Sequence, residues 1–374
     1  MRKIQVAVVA PSLRILGGQA VQADRLLQAW RGDPEVNAWL VPVNPRLPRL
    51  LRFAERVKYL RTILTELIYL PLLVRELADA DVVHVFSASY ASFVLAPLPA
   101  VLIARARRRP VVLNYRSGEA PDHLRRSALA RAVLARVERN VVPSRFLVDV
   151  FAQFDIPATI VPNLVDLDRF AFRLRDPLAP RLLSTRNFET LYNVACTLRA
   201  FRVVQDRWPD ASLTLVGAGK EESALRALAR ELQLRNVVFA GRIAPDAIHE
   251  AYRAHDIYIQ SPDIDNMPAS VLEAFASGLP VVSTNAGGVP TIVVDGEQGL
   301  LAPCGDHNAL AARVLALLDD HALATRLART ARASCDAFTW SRVREQWIDV
   351  YRSVLPAAAV PVGHPDVAAA GGRD

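Results

Sequence analysis

Residues 256–303 hold the densest set of groups in this chain that could do chemistry. Glu273 falls one turn into a short helix opened by Pro268, and Asp265 stands eight residues earlier in a polar turn, Ser261 to Asn266. A carboxylate placed like Glu273 can accept hydrogen bonds from two neighbouring hydroxyls, as acidic residues do when they hold a ribose. At a surface it would only complement the helix dipole. Asp265 is either a charged participant or a turn residue bonding its own backbone. Arg186, ending an earlier strand, could clamp a diphosphate and offset charge on a leaving phosphate, although an arginine after a strand is common. Gly17-Gly18, between the first strand and first helix, would let backbone approach an anion or sugar closely; a plain loop is the alternative. His84 ends another strand, where a satisfied structural histidine is the default. No Ser-His-Asp arrangement is visible.

The elements that must position these residues alternate regularly. Strands are expected at Ile4–Ala10, Asp81–Phe86, Pro110–Leu113 and Asn140–Val142, with helices at Ala20–Trp30, Tyr90–Arg105 and Leu124–Glu138 between them. After a linker at 171–180 the alternation restarts with strands Arg181–Thr185, Ser212–Val216 and Val237–Ala240 and helices Val194–Asp206 and Glu221–Gln233. The 256–303 segment then passes twice from strand to helix, once at Pro268 and once at Gly287-Gly288. Both handovers aim free N–H groups and a positive dipole end at whatever lies above the sheet, and a phosphate suits that place. Helices follow at 308–318, 322–333 and 341–355. This pattern predicts an α/β chain of two doubly wound Rossmann-like domains facing a cleft: 1–170 and 171–340, with 356–374 as a disordered tail.

Composition narrows the function classes. The 374 residues are 52% hydrophobic and 22% charged, ordinary for a folded chain. Cys196, Cys304 and Cys335 form no Cys-x-x-Cys pair, and no structural zinc site is visible. The start resembles a signal peptide superficially but reads as a buried strand, and 88–104 is too short and proline-broken to span a membrane. These features suit a reducing cytoplasm. Residues 1–170 carry 24 Lys and Arg against 15 Asp and Glu, while the rest of the chain is slightly acidic. Arg46, Arg49, Arg52, Arg56, Lys58 and Arg61 alternate with Leu47, Leu50, Leu51, Phe53, Val57 and Leu60. Such a segment suits an anionic membrane surface or a solvated helix face. Aromatics at 7% and the lack of a recognition motif argue against nucleic acid.

Gly217-Ala218-Gly219-Lys220 fails as a dinucleotide fingerprint, because position 222 is Glu222. It fails as a P-loop because of Thr214 and Glu221. What remains is a tight turn carrying a lysine. In combination, however, the motifs match a known pattern. Ser261-Pro-Asp-Ile-Asp-Asn-Met-Pro-Ala-Ser-Val-Leu-Glu273 through Gly287-Gly288-Val-Pro290, with Gly17-Gly18, Asp81-Val-Val-His84, Pro162-Asn163, Val216-Gly-Ala-Gly219 and Phe338-Thr-Trp340, resembles glycosyltransferase family 4.

That resemblance implies a retaining, metal-independent enzyme of the GT-B fold with no cofactor, and a last helix (341–355) crossing back onto the first domain. It implies a nucleotide-diphosphate sugar donor, with Glu273 on the ribose and Arg186 on the diphosphate. Gly17, Gly18, Asn266, Met267, Pro268, Ala269, Ser270, Gly287 and Gly288 would surround the sugar and phosphates. Asp265, Arg186 and Arg116 are the candidate catalytic residues, and His84 and Glu119 stand on the acceptor side. The acceptor would be a glycan or lipid-linked molecule at the inner membrane face, in cell-surface polysaccharide assembly. The chain departs from the family's Glu-x7-Glu pair at Asp265 and from its Pro-Glu after the paired glycines at Thr291. It also lacks the diphosphate lysine, whose place falls near Tyr192 with Lys220 as the conceivable substitute. Arg116 falls nearest the family's histidine. A non-catalytic nucleotide-sugar-binding protein and a sugar-nucleotide epimerase are the rival readings.

Overall fold

A computed structural model of the chain describes residues 2–14, 17–49 and 57–356. The expected tail, apart from Pro356, and Arg52 and Arg56 of the basic segment lie outside the described residues. The first half runs β1 (Ile4–Ala10), α1 (Gly18–Ala29), β2 (Val36–Pro42), α2 (Lys58–Glu76), β3 (Val82–Ser87), α3 (Tyr90–Leu95), α4 (Pro97–Ala106), β4 (Val111–Tyr115), α5 (Ala120–Arg126), α6 (Ala128–Leu134), β5 (Arg139–Val142), α7 (Arg145–Ala152) and β6 (Thr159–Ile160). The second runs β7 (Arg181–Ser184), α8 (Val194–Arg207), β8 (Ser212–Val216), α9 (Glu222–Glu231), β9 (Val237–Gly241), α10 (Ile248–Ala254), β10 (Ile257–Ile259), α11 (Ala269–Ser277), β11 (Val281–Thr284), β12 (Gly299–Ala302), α12 (His307–Asp319), α13 (His321–Ser334) and α14 (Trp340–Val354).

Two parallel six-stranded sheets result, in the orders β2-β1-β3-β4-β5-β6 and β12-β11-β10-β7-β8-β9. The central strands are mostly apolar because helices cover both faces; β3 is buried at every position, Val82 to Ser87, His84 included. In both sheets the chain reverses direction of build-up beside the first strand of its half, which opens a crevice at the strand C-terminal ends. Helix α14 leaves the second half and packs on the first sheet: Val343, Trp347, Ile348 and Tyr351 share a core with Val6, Val8, Val82 and Val112. The linker is clamped, not loose. Buried Arg175 donates to the carbonyls of Tyr252 (2.8 Å) and His255 (3.1 Å) and to that of Ser277, tying residues 171–180 to α10 and α11.

Three expected helices change shape for local reasons. The one expected over Tyr90–Arg105 is broken at Ala96 into α3 and α4, since Pro97 and Pro99 cannot continue the preceding turn but fit a helix start. The one expected at Leu124–Glu138 begins earlier and is split where Ser127 caps α6 by accepting from the Ala130 N–H. Gly287-Gly288 opens only one 3-10 turn, Val289–Thr291. The sequence reading passed over β2 and most of α2; α2 carries Pro71 internally, and its outer face is apolar.

Candidate active site

The two halves meet along a cleft with two adjoining chambers of about 200 and 220 Å3. Gly18, Arg186, Tyr192 and Ala269 border both. Helix α11 therefore begins between them, with the positive end of its dipole in reach of an anion in either.

In the first chamber, Glu273 is buried and both its oxygens are engaged. Oε1 accepts from Arg25 Nη2 of α1 at 2.5 Å, and Oε2 accepts from the Tyr252 hydroxyl of α10 at 2.8 Å. Burial, and then the Glu273 charge, push the Tyr252 phenol well above its ordinary pKa, so it stays a neutral hydroxyl that donates to Glu273 and accepts from Thr185 Oγ1 at 2.8 Å. Arg25 also donates to the Leu164 carbonyl at 3.3 Å, while its buried Nε has no hydrogen-bond partner among the described residues. Arg25 and Glu273 come from opposite halves, so this ion pair is also a bridge across the cleft.

Between the chambers lies a second pair. Arg186 Nη2 donates to Asp265 Oδ2 at 2.7 Å and Nη1 to Ser270 Oγ at 3.2 Å. The guanidinium carbon sits 3.9 Å from the centroid of the Tyr192 ring, a cation–π contact that fixes its plane. Burial raises the Asp265 pKa above the ordinary carboxylate value even though Arg186 and the Asn266 N–H pull it down. Burial pulls that of Arg186 down, but the Asp265 charge together with Tyr192, Tyr258 and Tyr252 leaves it raised.

The turn at 264–268 is held from both sides. Asn163 Nδ2 donates to the Met267 carbonyl at 2.6 Å, and the Ser144 hydroxyl bonds Asn266 Oδ1. Behind it stand the paired glycines. The Gly288 N–H donates to the Asp265 carbonyl at 3.2 Å. A Cβ at Gly287 would lie 2.2 Å from the Asp265 carbonyl oxygen, and one at Gly288 would lie 2.1 Å from that of Asn266. Gly288→Ala is therefore expected to push the turn into the cleft, costing about 1–3 kcal/mol of stability. Calorimetric titration should show ligand affinity falling as well, although residue 288 lines neither chamber.

With this geometry in place, the comparisons are decisive. Residues 1–169 match the model of Glycosyltransferase Family 4, and residues 171–334 match that of Glycosyl transferases group 1. The chain belongs to glycosyltransferase family 4. It is 31% identical over 209 residues to a phosphatidyl-myo-inositol mannosyltransferase of Mycobacterium leprae, covering 54% of this chain and 55% of that one. It is 38% identical over 136 residues to a D-inositol 3-phosphate glycosyltransferase of Acidothermus cellulolyticus, covering 36% and 30%. The matched part thus spans about half or less of these curated relatives. The GT-B fold is shared with Anabaena HepE in complex with UDP and glucose: TM-score 0.72 and 17% identity, over 93% of this chain and 99% of that one. Sucrose-phosphate synthase of Thermosynechococcus elongatus gives 0.71 and 19%, over 94% and 98%.

In this family 4 glycosyltransferase most of the residues singled out by sequence converge on the cleft. Gly17, Gly18, Arg186, Ala269, Ser270 and Glu273 line the first chamber; Arg116, Glu119, Asp265, Asn266, Met267 and Pro268 line the second. Others do not. His84 is fully buried between Asn114 and Tyr351 and cannot meet an acceptor. Gly287 and Gly288 support the 265–266 turn in place of lining either chamber. Lys220 is exposed, 3.7 Å from Glu189, and borders neither chamber, so it does not replace the lysine. Gly17 is extended, at φ −170°, and does not use left-handed backbone; a Cβ at Gly17 or Gly18 would meet no atom within 4 Å, leaving open space there. Gly217 and Gly219 are structural, since a Cβ on either would lie 2.2 Å from the carbonyl oxygen of Arg186 or Phe188.

Sequence reasoning missed Arg25 and Tyr252. The available signal was polar residues, Gln22 and Arg25, among the Ala20, Ala23 and Leu26 of one face of α1. A charged residue among core positions needs a partner, but nothing in the chain said that the partner lay 248 positions away.

Proposed function

We propose that this glycosyltransferase moves a sugar, with retention, from a nucleotide-diphosphate sugar to a glycan or lipid-linked acceptor in cell-surface polysaccharide synthesis on the cytoplasmic side. The observation that carries the reading is the buried Glu273 carboxylate on α11, one turn from a helix N-terminus and beside Arg186. A ribose diol could take the two oxygens now held by Arg25 and Tyr252. The diphosphate would then lie against Arg186, Ser270 and the start of α11, where the developing charge of a leaving phosphate is offset. That HepE was solved with UDP and glucose supports a donor of this class. The test is a thermal-shift screen against nucleoside diphosphates and their sugars, followed by donor turnover with and without acceptors. No stabilisation by any nucleotide would remove the reading. A non-catalytic binding protein is the second reading, favoured by Tyr192 standing where a second diphosphate cation was expected; binding without turnover under any acceptor would select it.

The membrane half of the proposal rests on α2. Its inner face buries Tyr69 and Leu73, while Tyr59, Ile63, Leu67, Leu70 and Val74 form an exposed apolar stripe with Arg61 and Arg75 near its ends. Among the described residues no helix is long and apolar enough to cross a membrane, so docking would be peripheral. Leu67→Glu is expected to abolish flotation with anionic vesicles at low salt and leave nucleotide binding intact. Wild-type protein that fails to float would end this part of the proposal.

A further inference from the structure

Three arginines are buried or half-buried at the cleft, and two bring their own counter-charge: Arg25 has Glu273 and Arg186 has Asp265. Arg116, on the loop after β4, does not. Among the described residues no carboxylate lies within ion-pair distance of it. Its Nη1 donates to Asn114 Oδ1 at 3.2 Å, and its guanidinium carbon lies 5.3 Å from the centroid of the Phe86 ring. The frame behind it is rigid and uncharged. Asn114 Nδ2 donates to His84 Nε2 at 3.1 Å, which leaves the proton on Nδ1 to be donated to the Tyr351 hydroxyl of α14 at 2.9 Å. Burial, and then the neighbouring Arg116 charge, pull the His84 pKa down to about 3, so the imidazole stays neutral at working pH. Burial likewise lowers Arg116, to about 10, which leaves it charged.

A guanidinium has five N–H donors in a fork that matches an oxyanion, and Arg116 spends one of them on Asn114. Half-burying a cation with no counter-charge beside it is unfavourable, yet this one lines the second chamber and is backed by three packed side chains in series. We propose that Arg116 reads an anionic group, a carboxylate or phosphate, on the ligand portion beyond the donor's diphosphate: either the transferred sugar or the acceptor. The diphosphate already has Arg186, Ser270 and the start of α11. Glu119 lines the same chamber and would repel an anion placed on its own side, which confines the anionic group to the Arg116 end. This inference rests on the donor reading of the first chamber.

The experiment is titration calorimetry on the full chain, comparing wild type, Arg116→Gln and Arg116→Lys. UDP alone reports the diphosphate; UDP-glucuronate against UDP-glucose reports an anion on the sugar; glucose 6-phosphate against glucose, with UDP bound, reports one on the acceptor. Wild type is expected to prefer one of the two anionic probes over its neutral counterpart. Arg116→Gln should lose that preference, by about 10- to 100-fold, and keep its affinity for UDP within about twofold. Arg116→Lys should recover part of the preference. The thermal midpoint of ligand-free Arg116→Gln should equal or exceed that of wild type, because no ion pair is broken. Equal weakening of UDP would make Arg116 a diphosphate contact and overturn the proposal. UDP binding by wild type with no preference for either anionic probe would also overturn it, leaving the donor reading intact. A wild type that binds neither UDP nor any other nucleoside diphosphate would remove both.

Discussion

Replacing Glu273 with alanine is expected to abolish nucleoside-diphosphate binding and, separately, to destabilise the empty protein. Two charge-assisted hydrogen bonds to a ribose are worth about 1.5–3 kcal/mol each, so affinity should fall by at least about 100-fold. The stability loss has a different origin. Glu273→Ala leaves the Arg25 guanidinium buried at the interdomain seam with no counter-charge, and breaking a buried pair from one side costs about 3–5 kcal/mol. A double replacement separates the two effects. Arg25→Leu with Glu273→Leu removes both charges together, and its thermal midpoint should return most of the way to wild type while nucleotide binding stays absent. If the double variant binds a nucleoside diphosphate as wild type does, Glu273 serves only to hold Arg25 and the ribose assignment is wrong. Arg25→Leu alone should bind at least as tightly as wild type, since the ribose then meets no competitor for Oε1.

The second large effect is expected at Arg186. Arg186→Gln should lower donor turnover by about 10²–10³-fold, the usual cost of removing one charge-stabilising donor from a transition state. Arg186→Lys should recover only part, because a lysine keeps the charge but not the two-pronged reach to Asp265 and Ser270 or the flat contact with Tyr192. The change also alters pH dependence. Burial already holds the Asp265 pKa above its unfolded value, so the folded state binds more protons there and this residue's contribution to stability declines as pH rises through that window. Without Arg186 the pKa climbs further, and the decline should extend to higher pH. Unfolding measured across pH would record this steeper loss in Arg186→Gln. Adding Asp265→Asn, which removes the titrating group, should flatten it; a profile unchanged by either substitution would mean the pair is not coupled.

Much of this architecture was legible in the chain. The apolar run Ile4–Ala10 lies on a strand buried on both faces, and its period and punctuation survive folding because each is set by local backbone preference. Pro268 before α11 and Gly278 after it, the latter at φ +74°, mark a helix whose limits depend on neighbouring residues only. The eight-residue spacing of Asp265 and Glu273 likewise places both at one helix start. Less legible were β2 and α2. β2 is an edge strand with Asn37 and Trp39 in it, and α2 joins an apolar outer stripe to an apolar inner face, so neither shows a clean buried-exposed period.

What only the tertiary structure decided is which groups share charge. Residue types and spacing determined that carboxylates and an arginine would stand where strands hand over to helices, since that follows from local geometry. They could not determine that Arg25 would close on Glu273, that Tyr192 would lie flat under Arg186, or that His84 would turn inward to Tyr351. Nor could they tell that Gly287 and Gly288 hold the 265–266 turn from behind, or that Lys220 faces away. Each of these joins residues far apart in the chain or on opposite halves. An ion pair or a close backbone approach is a property of position in space, and that position exists only once both sheets, α14 and the clamped linker have packed.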